Sequence, residues 1–385
     1  MRPLKACVFL ALIGIGVSLA RSNAQSASNG PRTSGGVDVL SGAYEAYRNA
    51  GFAVTDSTLD VVLVHTKGHD THGALYRLLG GHDTSIQIDL TEIFLLRFGL
   101  PETGEAAIPK SAVLVYKRNG GFYGDPHCIW VPRTQRFYVI GTEGSILTTP
   151  YKVVSVNLGE NSAVPFPTSE FELGKGLLTT RMDVQSAAIE RDGGVEFLDL
   201  STGKMLRRAT LPTEIRSVDS GLRALSSDGR YFLVESLAGS RTTSHKVFTY
   251  SVEKDTWDDQ VLSEPPDQTM RLDLVDERIW IVKRFLPVGA DLTRSAASRK
   301  YRVIDVMKGS RFEMPDGLSA ISPVELDVTR TTLVMGFGFT LNDGFGESNG
   351  VLWNWGTNKV SKVGFRISIP ITNLVKSIAA PRQAP

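Results

Sequence analysis

Apolar and polar residues alternate along this chain in short runs that come in pairs. The clearest pair is Val195–Leu211, VEFLDLSTGKMLRRATL: an alternating run, a Ser-Thr-Gly break, then a second run. A period of two over this length predicts half-buried strands, and the break predicts the turn of a hairpin. Similar pairs occur at YKVVSVNLGENSAVPFP, KVFTYSVEKDTWDDQV, YRVIDVMKGSRFEMP and VLWNWGTNKVSKVGF, with turns at Asn161, Asp255, Gly309 and Asn358. Two fainter copies upstream place turns at Gly68 and Asn119. From Gly68 through Gly203 to Asn358 the intervals are 51, 42, 42, 52, 54 and 49 residues. Periods of this size predict a radial or stacked repeat whose units cannot bury their own apolar faces alone.

A second hairpin precedes most of these pairs. Arg223–Ser236 reads RALSSDGRYFLVES about an Asp-Gly turn, and Cys128–Gly141 reads CIWVPRTQRFYVIG with Pro132 opening the turn. Arg271–Lys283 and Val324–Phe337 repeat the pattern, while Ala187–Glu190 makes a shorter version before Asp192-Gly193-Gly194. Four antiparallel strands per repeat, closed in a ring, predict an all-β single propeller of seven blades. Six blades with an N-terminal extension is the alternative. The stretch from Ser41 to Phe98 is the least regular, and Thr91–Leu100, TEIFLLRFGL, admits either a helix capped by Thr91 or a strand.

The segment Val195–Ser236 resembles the bacterial YVTN and WD40-like propellers. Asp199, Thr202, Gly203 and Lys204 match that family's strand-ending Asp and Thr-Gly-Lys turn, and Ser227, Asp228, Gly229 and Arg230 match its later hairpin. The match covers about one blade, lacks the name-giving Tyr-Val-Thr-Asn, and implies the fold and export more than an activity. The same turn is similar to quinoprotein dehydrogenase repeats, but Leu206 or Arg207 stands where those carry Trp. This argues against a quinone cofactor, and no cofactor is expected.

Arg2 and Lys5 precede the uncharged, mostly apolar run Ala6–Ala20, and Ser22-Asn23-Ala24 fits a small-x-small cleavage site. This predicts a signal peptide over 1–24, followed by a Ser-, Asn- and Gly-rich leader over 25–40, the propeller over 41–376 and a tail over 377–385. Removing the signal takes away Arg2, Lys5 and Arg21, leaving 39 basic against 41 acidic residues, a net of −2. Neither nucleic acid nor an anionic membrane is indicated as partner, and no integral span is predicted. With Cys7 in the signal, Cys128 is the sole mature thiol, so apolar burial must hold the fold. No Asn-x-Ser/Thr acceptor occurs, in keeping with a bacterial periplasmic or secreted protein.

Candidate chemistry is sparse. His65, His69, Asp70 and His72 cluster around Gly68, with His82 and Asp83 further on. If Gly68 turns a hairpin, His65 and His72 face one another beside His69. The spacing matches no zinc motif, so a polar turn ranks ahead of a metal site. Asp125, His127 and Cys128 form a second group, but neighbouring strand residues point to opposite faces, which makes Cys128 a core residue. Two long connections offer ligand-binding candidates on one side of the ring: Phe285–Lys300 with Arg294 and Arg299, and Thr340–Gly350 with Asp343 and Glu347. No Ser-His-Asp motif, phosphate loop or nucleotide fingerprint is present. The leading expectation is a binding or scaffold protein holding a protein or small molecule on this loop face. The rival is an exported enzyme, either a metal-assisted hydrolase or lyase or an oxidoreductase.

Overall fold

The computed structural model describes residues 34–37, 43–55, 57–71, 86–99, 106–107, 109–159, 166–216, 220–236, 245–262, 269–285, 300–315, 323–342 and 345–367. These form six antiparallel blades in a β-propeller. Blade 1 contains β1 (Ser34–Val37), β2 (Ala43–Val54), β3 (Thr58–Asp70), β4 (Ile86–Gly99) and β6 (Pro109–Asn119). Blade 2 is β7 (His127–Val131), β8 (Arg136–Gly141), β9 (Lys152–Asn157) and β10 (Phe166–Glu172); blade 3 is β11 (Leu177–Thr180), β12 (Ser186–Arg191), β13 (Gly194–Asp199) and β14 (Lys204–Thr210). Blade 4 is β15 (Ser220–Leu225), β16 (Tyr231–Ser236), β17 (His245–Ser251) and β18 (Thr256–Leu262). Blade 5 is β19 (Thr269–Val275), β20 (Arg278–Phe285), β21 (Lys300–Asp305) and β22 (Ser310–Glu313). Blade 6 is β23 (Pro323–Asp327), β24 (Thr332–Asn342), β25 (Phe345–Asn354) and β26 (Lys359–Ile367), with β5 (Ala106–Ala107) added in parallel beside β26.

Six blades rather than seven follow from the two upstream anchors. Gly68 lies inside β3 and Asn119 ends β6, so both belong to one sheet. Gly68 is required by a close approach, not by a turn: a Cβ there would collide with the Gln87 carbonyl oxygen, where the β3–β4 register shifts. Thr91–Leu96 belongs to a strand, not a helix, and all six residues are buried. A continuous apolar run fits a strand covered on both faces. The downstream anchors do turn hairpins. Gly203, Asp255, Gly309 and Asn358 have φ of 68, 56, 67 and 56°, each between the third and fourth strands of its blade. Asn161 lies outside the described residues.

Among the described residues, six apolar clusters fill the seams between neighbouring blades and so close the ring. Val62, Val64 and Leu95 meet Trp130 and Phe137 between blades 1 and 2, and Phe197 meets Phe232 and Tyr250 between blades 3 and 4. Clusters joining blades 2 to 3, 4 to 5 and 5 to 6 complete the arc. The last seam packs Leu59, Leu63 and Phe94 of blade 1 on Val334 and Leu352 of blade 6. Asp60, wholly buried, pins blade 1 to blade 2: it accepts two bonds from Arg97 (2.8 and 2.9 Å) and one from Trp130 Nε1 (2.7 Å).

Alternation of strand direction gives the disc two unlike faces. Turns between first and second strands and between third and fourth strands fall on one face, called here the turn face. Links between second and third strands, and between blades, fall on the opposite, connection face. Blade 1 overhangs that face. Beyond the buried stretches Leu59–His65 and Thr91–Leu96, residues 66–69 of β3 and the start of β4 alternate between partly buried and exposed, and β3 ends on buried Asp70. Blade 6 overhangs on the same side, because β24 and β25 stay paired out to Asn342 and Phe345. The expected loop Thr340–Gly350 is therefore mostly a two-stranded arm.

Candidate functional site

The histidines of β3 do not converge. His65 and His69 lie four residues apart on one strand, about 13 Å at ~3.3 Å per residue. His65 is buried: Nε2 lies 2.7 Å from Glu45 Oε1 and Nδ1 lies 3.1 Å from Glu92 Oε2, while the ring stacks on Tyr47 with centroids 4.1 Å apart. Tyr47, His65, Glu92 and Lys117 are successive cross-strand partners, ending in a Lys117–Glu92 ion pair of 3.0 Å. This row is a polar ladder just beyond the apolar core. His69 is exposed and meets Asp89 at 2.8 Å. His72, His82 and Asp83 lie outside the described residues, as do Arg294, Arg299 and Asp343. Glu347 sits in β25, paired with Thr340 and Arg366 on its neighbouring strands. Among the described residues no three His, Cys, Asp or Glu side chains form a metal-holding group.

Cys128 occupies the seam between blades 1 and 2, its thiol facing the Pro126 carbonyl at 3.9 Å. Burial pushes this thiol well above the ordinary range, and burial also pushes the neighbouring His127 imidazole down to about 4. Both are therefore neutral at physiological pH, the reverse of a thiolate–imidazolium pair. His127 instead meets the Thr180 hydroxyl at 3.2 Å.

Near the ring axis, first strands of successive blades lie side by side, as with β11 and β15, β15 and β19, and β19 and β23. Arg181, just after β11, spans the space between them. Its guanidinium donates to Leu225 O (3.3 Å) in blade 4 and to Leu326 O (2.6 Å) in blade 6, and it lies 3.1 Å from Asp273 and 3.4 Å from Glu325. Arg271 donates to Val324 O at 2.9 Å and Met270 O at 2.7 Å. Asp183 stands at the solvent-reached mouth of this network, in a left-handed conformation with φ of 63°. Protein surrounding its carboxyl raises the pKa, Arg181 lowers it, and Glu325, Asp327 and Asp273 raise it again, leaving it at about 7. The described part of the axis is thus cross-braced by the protein's own charges.

Among the described residues, open space lies on the connection face, where blade 1 overhangs the shorter blade 2, and a smaller pocket of about 130 Å³ lies between blades 4 and 5. An inner lobe of about 270 Å³ is bounded by Arg48 of β2, Val64 and Thr66 of β3, Ile88 and Thr91 of β4, and the segment 121–126. An outer lobe of about 250 Å³ is bounded by Tyr116, Arg118, Glu143 and Lys152 among others. Phe122 lines both lobes, with the Arg118 guanidinium 4.5 Å above its ring and Tyr116 stacked at 6.3 Å. Gly120 and Gly124, at φ of 83 and 81°, flank it with open space where a Cβ would stand. Arg48 pairs with Asp125 across the inner lobe. Sequence reasoning missed Arg48 and Phe122, and grouped Asp125 with His127 and Cys128 rather than with Arg48. The available signal was Gly120-Gly121-Phe122-Tyr123-Gly124, three glycines around two aromatic residues between strands of unequal length.

Among the described residues no helix is long and apolar enough to cross a membrane. No family model matches the chain, and no curated protein sequence does. Among solved structures it is similar to TolB from Acinetobacter baumannii, at 12% identity and a TM-score of 0.38, over 84% of this chain and 80% of that one. It is also similar to apo AztD from Citrobacter koseri, at 10% identity and a TM-score of 0.34, over 72% of this chain and 81% of that one.

Proposed function

We propose that this propeller is an exported, non-catalytic binding or scaffold module whose ligand is held in the cleft between blades 1 and 2. One observation carries the reading: the two adjoining lobes lie on the connection face, where the elongated first blade overhangs its neighbour. Concave sites with a few polar groups on a rigid scaffold are where ligands bind. The neutral Cys128 and His127 give no support to a nucleophilic enzyme. Export rests on the basic, apolar and small-residue signature of residues 1–24.

Cys128 is buried, so a thiol introduced at exposed Tyr123 can be labelled selectively in the mature chain. A Tyr123→Cys variant carrying an environment-sensitive dye should respond saturably to a fraction of host-cell extract. A Lys204→Cys variant, labelled on the turn face, should not. Equal responses at the two positions, or none at Tyr123→Cys in any fraction, would overturn the assignment of the cleft.

A further inference from the structure

We infer that the inner lobe takes a small organic carboxylate with an apolar body, its carboxylate bound by Arg48. This inference rests on the reading of the cleft as the binding site and adds the class of ligand. Arg48 Nη1 is paired with Asp125, but its Nε is shut away from solvent and has no acceptor. A buried N–H left without a partner is unfavourable, and because Nε is closed to solvent, an occupant supplies its acceptor only by taking the place of Asp125 at the guanidinium. The hydroxyls nearby are already used: Thr91 Oγ1 donates to Gly120 O at 2.9 Å, and Thr66 Oγ1 donates to Ala46 O at 3.5 Å. Val64, Ile88, Phe122 and Pro126 make the rest of the wall largely apolar. The lobe therefore presents one cationic fork, answered by the largely exposed carboxylate of Asp125, against hydrocarbon, and guanidinium forks match carboxylates in shape and charge. Burial opposes the Arg48 charge, and Asp125 and Tyr44 more than offset it, so the fork stays charged.

Asp125 acts in this view as a placeholder. Its side chain is 71% exposed, and it follows Gly124, whose left-handed backbone has open space around it. A ligand carboxylate can replace Asp125 at Arg48 without unburying a second charge, while Asp125 returns to water. At about 270 Å³ the lobe falls just below the ~300–1,000 Å³ of drug-sized pockets, so the occupant is small.

Titration calorimetry on the mature chain tests this with benzoate and hexanoate as probes, against benzamide and benzylamine. The carboxylates should bind saturably, with the amide and the amine about tenfold weaker or worse. Arg48→Lys, which keeps the charge and loses the fork, should weaken benzoate about tenfold. Asp125→Asn, at an exposed position, should tighten it severalfold by removing the competing carboxylate. Absence of saturable carboxylate binding up to about 10 mM in both wild type and Asp125→Asn would overturn the inference. So would benzylamine binding as tightly as benzoate, or an Arg48→Lys variant that binds normally. If the carboxylates fail while dye-labelled Tyr123→Cys still answers to extract, the ligand class falls and the site stands. If both fail, the site falls too.

Discussion

Blades 1 and 6 differ from blades 2–5 in strand length, and the difference separates what builds the ring from what extends beyond it. In blades 2–5 the strands run four to eight residues. In blade 1, β2, β3, β4 and β6 run 12, 13, 14 and 11, and in blade 6, β24, β25 and β26 run 11, 10 and 9. Every seam between blades nevertheless uses only short buried stretches, such as Val62 and Val64 against Trp130 and Phe137 and Val61 and Leu63 against Val334 and Leu352. The surplus in blade 1 is about six residues, or roughly 20 Å of strand. Its side chains alternate between partly buried and exposed, as polar Lys67, His69, Gln87 and Asp89 show. The ring therefore needs about five residues per strand, and the rest of blade 1 is surface that creates the cleft over blade 2.

The strongest way to break this comparison is to empty the same kind of core position in a long and in a short blade. Phe94→Ala, in the seam between blades 1 and 6, and Phe232→Ala, between blades 3 and 4, should each cost ~3–5 kcal/mol. Denaturant unfolding should remain a single transition by tryptophan fluorescence and circular dichroism. An early partial transition in Phe94→Ala alone would make the long blades a separate folding unit.

Next in size, Asp60→Ala should cost about 3 kcal/mol, since it strands the buried Trp130 Nε1–H while Arg97 can still reach water. The loss should appear in the denaturation midpoint, and a change below about 1 kcal/mol would mean that the seam does not depend on this clamp.

Asp183 sharpens the contrast from the turn face. Its pKa of about 7 in the native state is above the ~4 of an unfolded aspartate, so the native state holds a proton that the unfolded chain has lost. Its contribution thus falls as pH rises from about 4 to 7 and is flat above. Asp183→Asn should stabilise the protein by ~1–2 kcal/mol at pH 8, allowing for solvent screening, and by almost nothing at pH 4. Thermal melts at the two pH values decide this, and equal shifts would refute it.

Smallest of all, Gly309→Ala should cost about 1 kcal/mol. Space is open around the position, and only the left-handed φ of 67° opposes a side chain. Stability unchanged by this substitution, measured by urea denaturation, would mean that the turn relaxes freely.

Much of blades 2–6 was legible in the sequence because their hairpins turn on residues with local signatures. Gly203, Asp255, Gly309 and Asn358 each sit in left-handed turns, and Asp199 fixes its turn by accepting from Ser201 N at 2.8 Å. Blade 1 was misread because its glycine at 68 marks close backbone approach inside a strand, and sequence alone does not separate that use from a turn. Thr91–Leu96 was ambiguous for a related reason: burial on both faces removes the alternation that distinguishes strand from helix. The cleft was invisible because its walls come from β2, β3, β4 and the segment 121–126, brought together only by the ring.

The seam between blades 1 and 6 also sets an order of events during synthesis. Leu59, Leu63, Phe94 and Phe98 are covered on that side by Val334 and Leu352, which emerge from the ribosome roughly 240 residues after Phe98. At ~5–20 residues per second, this flank of blade 1 waits on the order of 10–50 s for its cover. Throughout that interval the nascent chain carries an adhesive apolar surface, and any holding factor that meets it has one definite place to bind.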